Sequence, residues 1–350
     1  MKLNLKDKGY YMPAEWEKHY GTWLTYPHNK ETFFERLEGA KNTFAKLVKL
    51  ISESEVAHIN VNNEDEENEL KQKLKNLNTN FENIRIHQIP TNDSWCRDYS
   101  GIFLKNKNTG EIVIADFEFN SWGGKYPYQL DNQLPKYQEK ILGFKRYEID
   151  IILEGGSIEV NGNGLLMTTE SCLLNPNRNP DLSKEEIERI LKKVLGVEKI
   201  LWLKEGIVGD DTDGHIDDIT RFVNKNTVVT AIERNKDDEN YEILMGNYET
   251  LKTFTDLEGN PLNIITIPMP EPLYYKFPWD KEPSRLPASY ANFYITNKYV
   301  IVPTFNCSQD EEAIQILQNL FKDRKVVGLD ATDIILGLGA YHCLTQQIPE

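Results

Sequence analysis

Thr22-Trp23-Leu24-Thr25-Tyr26-Pro27, Val56-Ala57-His58-Ile59-Asn60-Val61 and Ile84-Arg85-Ile86-His87-Gln88-Ile89 are three short apolar or alternating runs that read as β-strands. Between the first two, Phe33, Leu37, Ala40, Phe44, Leu47, Val48 and Ile51 recur at helical spacing, one apolar stripe on a helix of several turns. Between the second and third, the charged stretch from Glu64 to Leu77 reads as another helix. Strand, helix, strand, helix, strand is an α/β arrangement.

The same alternation continues along the chain. Strands are expected at 101–104 and 112–117, and a hairpin at 153–169 turns at Gly162-Asn163-Gly164. Ser183-Lys184-Glu185-Glu186 is a capping box for a helix to Leu195, followed by a strand at 199–203. Further strands are expected at 220–223, 228–232, 264–267, 292–302 and 326–329. A helix is expected at 241–254, and Ser308-Gln309-Asp310-Glu311 reads as a second capping box opening a helix to Phe321. The proline-rich stretch from Pro268 to Pro287 is expected to hold no regular structure and to form a lid or a surface crossing. The expectation is a single domain over 1–350, built of short ββαβ units.

Composition narrows the function. Forty Lys and Arg against 55 Asp and Glu give a formal charge of −15, which disfavours nucleic acid as a partner. It would concentrate a cationic small molecule near the surface. No apolar run approaches the roughly 20 residues that span a bilayer, and Met1–Lys6 lacks the apolar stretch of a secretory leader. Cys96, Cys172, Cys307 and Cys343 show neither metal-ligand spacing nor a disulfide framework, so a reducing cytoplasm is the expected compartment.

Four kinds of residue could carry chemistry. Cys343 follows the run Gly337-Leu338-Gly339-Ala340, where backbone can approach a ligand closely, and is either a nucleophile or a buried structural thiol. His342 is a poor base for it, because neighbours along a strand face opposite ways. His215 lies in the carboxylate-rich loop Asp210–Asp218, with Asp217 two residues on. Asp98, near Trp95, and Glu154, before a Gly-Gly turn, are further carboxylates, each of which, taken alone, reads more readily as a solvated charge or a turn residue. Carboxylates around a thiol would oppose acyl transfer, which builds an oxyanion. They suit a cationic electrophile, and a guanidinium offers a planar fork of N–H donors to two carboxylates.

The segments MPAEWEKHYGTWLTYP (12–27), WCRDYSG (95–101), LEGGSIEV (153–160), TTESCLLNPNRNP (168–180), GDDTDGHIDD (209–218), LPASYANFYI (286–295) and GLGAYHCLTQQIP (337–349) resemble the bacterial peptidylarginine deiminase-like family, in its agmatine deiminase branch. The resemblance runs in order over nearly the whole chain. It implies the pentein fold, a five-bladed α/β propeller of ββαβ units around a central active-site channel. It implies that Cys343 is the nucleophile, His215 the general acid/base, and Asp98 and Asp217 the carboxylates that hold the guanidinium. It further implies that Glu154 orients the His, that Trp95 lines the pocket and that Asn292 makes a polar contact. Asp211, with Asp213, is the nearest candidate for the substrate's far ammonium. The run before the His-Cys pair departs from the Gly-Gly-Gly-Asn common in that branch. The implied reaction is hydrolysis of agmatine to N-carbamoylputrescine and ammonia, in putrescine biosynthesis, with no metal and no organic cofactor. Rival expectations are deimination of arginine or peptidyl-arginine, an amidinotransferase and a non-catalytic polyamine binder. A homodimer is left open.

Overall fold

Strand His19–Thr25 runs parallel to Val56–Val61, and Val56–Val61 runs parallel to Ile84–Gln88. In this computed structural model, which describes residues 3–350, the crossovers are the helices Leu37–Ser52 and Glu64–Asn76. The apolar stripe of Leu37–Ser52 is buried through Ala40, Phe44, Leu47, Val48 and Ile51. That face covers the sheet, as the 3.6-residue spacing requires.

Four more sheets repeat one pattern, in which a first strand lies antiparallel to a second and a helix then leads to a third strand parallel to the second. The triplets are Ile102–Asn106, Ile112–Glu118 and Lys145–Ile152; Glu159–Val160, Leu165–Thr169 and Lys199–Leu203; Thr220–Phe222, Thr227–Ile232 and Asn263–Pro268; and Tyr294–Ile295, Tyr299–Thr304 and Lys325–Asp330. The helices are Leu134–Leu142, Lys184–Leu195, Asn240–Leu251 and Asp310–Leu320. The fifth unit closes across the chain ends. Its first strand is Thr345–Pro349, antiparallel to His19–Thr25. Most apolar side chains form one large buried cluster, and a smaller one lies around the sheets of 102–118 and 165–203 with helix Lys184–Leu195.

Three expectations change. The segment from Pro268 to Pro287 does contain a small antiparallel pairing, Tyr274–Tyr275 with Ser284–Arg285, placed between the prolines so that none interrupts it. Ser308 caps nothing. Helix Asp310–Leu320 starts at Gln309 with no side-chain cap, and Ser308 Oγ bonds Glu271 and Gln309. The Asp310 carboxylate instead accepts the N–H groups of Phe305 and Cys307, fixing the approach to the helix. Helix Leu134–Leu142 and strands Lys145–Ile152 and Thr345–Pro349 were not expected, because their apolar residues show no clean period. The Ser183 capping box forms as expected. Among the described residues no helix is long and apolar enough to cross a membrane.

Polar side chains hold the units together at the centre. Glu15 is buried, with Oε2 lying 3.2 Å from Arg97 Nη2, 3.1 Å from Arg221 Nη2 and 2.8 Å from His342 Nε2. Its Oε1 accepts the N–H of Ile295 at 2.8 Å. Burial opposes ionisation of Glu15, but Arg221, His342 and Arg97 hold its carboxyl far below the usual range. Removing one member of such a cluster strands the others, so Glu15→Ala should cost about 3–5 kcal/mol of folding stability. Denaturant unfolding monitored by circular dichroism checks this, and a loss under about 1 kcal/mol would mean that water replaces the carboxylate.

Candidate active site

Each of the five units is entered through a short turn just before its first strand, and the candidate residues lie on those turns. Asp98 is on the one-turn helix Cys96–Tyr99, before Ile102. Glu154 precedes the 3-10 turn Gly155–Ser157, before Glu159. His215 and Asp217 lie at the turn Ile216–Asp218, before Thr220. Asn292 precedes Tyr294, and Cys343 precedes Thr345. Residues far apart in sequence are thereby brought to one place.

Cys343 is buried, and its Sγ lies 3.1 Å from Asn292 Nδ2 and 3.8 Å from Asp217 Oδ2. Asn292 also accepts the His342 N–H at 3.0 Å and donates to Asp218 Oδ1 at 2.9 Å, so it fixes the thiol's turn from two sides. Asp98 Oδ1 accepts the Gly156 N–H and Oδ2 accepts the indole N–H of Trp122, both at 2.9 Å. His215 Nδ1 stands 3.7 Å from Asp98 Oδ1, and neither ring nitrogen has a hydrogen-bond partner. Asp217 Oδ2 meets His342 Nδ1 at 2.6 Å, while its Oδ1 is buried and unpartnered. Glycine is required at 156, where a Cβ would sit 2.6 Å from His215 Nδ1 and 2.8 Å from Asp98 Oδ1.

Electrostatics follow from burial and crowding. Burial, then Asp217, Asp218 and Asp98, push the Cys343 thiol well above its ordinary value. Burial pushes Asp98 up to about 6; His215 opposes this, and Asp217 and Glu154 add to it. Burial would lower His215, yet Asp98, Cys172 and Asp217 outweigh it and hold the imidazole well above its usual value. Asp217 stays below its usual range despite burial, because His342 bonds it. The site pairs a protonated thiol with carboxylates, and one buried acceptor waits for a donor.

A cavity of about 680 Å³ leads to the thiol, and Trp95, Asp98, Trp122, Asp211, Gly339 and Cys343 are among its lining residues. Trp95 presses on the glycine run. A Cβ at Gly339 would lie 2.7 Å from its ring, and Gly337 is as tightly placed. Phe277 and the exposed Trp279, stacked at 5.2 Å, bring the proline-rich segment to the same cavity.

Of the residues expected at the site, Cys343, Asp98, Asp217 and Asn292 meet as anticipated, with His215 beside Asp98. Asp211 lines the cavity, but Lys125 and the Tyr126 hydroxyl already hold its carboxylate. Asp213 is committed to Arg178, Asn177 and Lys125. Glu154 does not bond His215 directly; Arg178 Nε takes its Oε1 at 2.6 Å. Both ring nitrogens of His342 are taken by carboxylates and neither bonds the Cys343 thiol. His342 sits in a turn, clamped between Asp217 and Glu15. Sequence reasoning missed Glu15, Asp218, Arg178 and Trp122. The signal for Trp122 was its Gly-Gly neighbourhood, where Ser121 and Trp122 both adopt positive φ, 58° and 53°, and aim the indole at Asp98.

Known proteins resemble the chain along nearly its whole length. The family described as Porphyromonas-type peptidyl-arginine deiminase matches residues 11–349. A relative from Latilactobacillus sakei, provisionally named an agmatine deiminase, is 38% identical over all of this chain and 98% of its own. The solved agmatine deiminase of Enterococcus faecalis superposes with a TM-score of 0.93 at 31% identity, covering 100% of this chain and 98% of that one. A cysteine-to-serine variant of the C. jejuni agmatine deiminase, solved with substrate bound, superposes at 0.87 with 32% identity, over 97% of this chain and 96% of its own.

With a protonated thiol behind carboxylates, neutral iodoacetamide should alkylate Cys343 slowly at pH 7, and the rate should keep climbing with pH without levelling off in the range of an ordinary thiol. A haloacetamidine, carrying an amidinium, should react at least about tenfold faster at pH 7, because its charge favours the thiolate. Asp98→Asn should shrink that advantage. Equal rates for the two reagents on the unaltered protein would mean that the thiolate is already formed.

Proposed function

The chain belongs to the Porphyromonas-type peptidyl-arginine deiminase family, and from that premise we propose that it hydrolyses the guanidinium of agmatine to N-carbamoylputrescine and ammonia. The observation that carries the reading is the approach of Cys343 Sγ to Asp217, with Asp98 lining the same cavity and His215 beside it. A thiol ringed by carboxylates fits a cationic carbon and little else.

The guanidinium docks with its N–H groups toward Asp98 and the unpartnered Oδ1 of Asp217. Its positive charge offsets the carboxylates that hold the thiol protonated, so Cys343 releases its proton to solvent as substrate binds. The thiolate adds to the central carbon. His215, as imidazolium, protonates the departing nitrogen and ammonia leaves, with the carbon bound to sulfur as an S-alkylthiouronium. His215, now neutral, accepts a proton from water as the water's oxygen bonds the same carbon. The C–S bond breaks, the sulfur is reprotonated and the ureido product departs.

Substrate preference is read from the walls. Asp98, Asp211 and Glu31 line the cavity against Lys30, and among the described residues no arginine does, which suits a diamine-like cation better than the carboxylate of free arginine. The five ββαβ units and their five site-bearing turns support a five-bladed propeller about a central channel, a single catalytic domain over 1–350. We assign the enzyme to polyamine synthesis in a reducing cytoplasm, in keeping with four free cysteines.

Cys343→Ala should keep the fold and agmatine binding while losing turnover by roughly 10³-fold or more; ammonia release measures it. Agmatine should exceed arginine about a hundredfold in kcat/KM through charge at the far end. Equal rates, or faster release from peptidyl-arginine, would overturn the substrate assignment, and transfer to an added amine would indicate an amidinotransferase. Asp98 is raised from its ordinary value to about 6, so it stabilises the free protein at low pH and that contribution is lost as pH rises through 6. Its charge is then available to substrate. The kcat/KM for agmatine should therefore fall on acidification below about 6, and agmatine should raise the Tm of Cys343→Ala more at pH 7.5 than at pH 5.

A further inference from the structure

Glu154, Cys172 and His215 are wholly buried, and one donor atom from each lies within 4.8 Å of the other two. Glu154 Oε2 and both ring nitrogens of His215 have no hydrogen-bond partner, since Arg178 takes only Oε1 of Glu154. Buried polar atoms are seldom left unpaired, and here several unpaired atoms face one another. We propose that this cluster is a binding site for a thiophilic divalent cation of the Zn²⁺ type, and that filling it switches the enzyme off.

The donors are one thiol, one imidazole and one carboxylate, a mixed S/N/O set that selects Zn²⁺-like ions over hard Mg²⁺ or Ca²⁺. Three protein ligands leave a fourth position for water. Zn–S and Zn–N bonds of about 2.3 and 2.0 Å place tetrahedral donors roughly 3.5 Å apart, so the three side chains need to close by roughly 1 Å. Their backbones are already fixed. The Thr169 hydroxyl accepts the Cys172 N–H at 3.3 Å and donates to the carbonyl of Gly214, next to His215. Asp210 Oδ2 accepts the His215 N–H at 2.9 Å. Asp98, which lines the cavity and stands 3.7 Å from His215 Nδ1, gives an incoming cation an acidic approach. The positive charges of Arg178 and of the His215 imidazolium oppose binding, against the carboxylates of Glu154, Asp98 and Asp217.

Binding replaces the thiol proton of Cys172 and the imidazolium proton of His215 with the metal and releases both protons to solvent; no electron moves. The cation occupies a His215 lone pair, so the ring can no longer carry a proton to or from the reaction. Loss of turnover thus rests on the reading of His215 as acid/base, whereas metal binding rests on the donor set alone. Cys343 stays free.

Co²⁺ is the probe, since thiolate ligation gives it a charge-transfer band in the near ultraviolet. Titration of Cys343→Ala should show one Co²⁺ per chain with that band, and Cys172→Ala should lose it. Whatever turnover Cys172→Ala retains, the Zn²⁺ concentration that halves it should exceed that for the unaltered enzyme by more than about tenfold, and a chelator should restore the inhibited unaltered enzyme. Should Cys172→Ala fold poorly by circular dichroism, Cys172→Ser and X-ray absorption of the Zn²⁺-loaded unaltered chain read the same point, through one sulfur in the first coordination sphere. A band that survives in Cys172→Ala and vanishes in Cys343→Ala would place the metal on the nucleophile and overturn the proposal. So would the absence of any band. Because the Co²⁺ spectrum needs no turnover, a failure of the agmatine reading would show separately.

Discussion

The buried carboxylate of Glu15 ties the five units to one another. It reaches Arg97 beside Asp98, Arg221 just after His215 and Asp217, and His342 next to Cys343. Its other oxygen takes the N–H of Ile295, near Asn292. Arg221 extends the connection by bonding Glu159 and the carbonyls of Ala291 and Phe293. Each partner therefore lies within a few residues of a candidate site residue. A charge cluster this dry is tolerable only when every member is paired, so displacement of one turn is resisted by the others. Rigid placement of the thiol, carboxylates and imidazole follows from that constraint.

His342 relays the clamp. One ring nitrogen meets Glu15 and the other meets Asp217, whose carboxylate is also the nearest to the Cys343 sulfur. Asp217 is thus turned by a partner outside the cavity, leaving Oδ1 free on the other side. The site carries surplus negative charge and a protonated thiol until a cation arrives. A neutral molecule of the same shape would leave the carboxylates unpaired and the sulfur unreactive. Selectivity and activation have one electrostatic origin.

Much of the fold was legible because local periodicity carries it. Val56–Val61 and Lys199–Leu203 have the bounds their patterns indicate, and the Ser183 box starts its helix where the side chain finds Glu186. The Ser308 motif failed because Asp310 found backbone donors in Phe305 and Cys307, a tertiary competition invisible to spacing. The fivefold recurrence was hidden too. First strands begin at Ile102, Glu159, Thr220, Tyr294 and Thr345, at unequal intervals, because loops and helices of different lengths separate units of one pattern.

The sequence by itself determined the residue types: a thiol behind glycines, a His among carboxylates, and an α/β chain whose motifs resemble one family. It could do so because hydrophobic period and turn chemistry act over a few residues. Only the tertiary structure decided which groups meet. Asp98, Asp217 and Cys343 lie on three different turns, and their distances are set by sheets that pair residues hundreds of positions apart, as Thr345–Pro349 pairs with His19–Thr25. The buried partners Glu15 and Arg178 had no local signature, since a charge acquires its role from what surrounds it after burial.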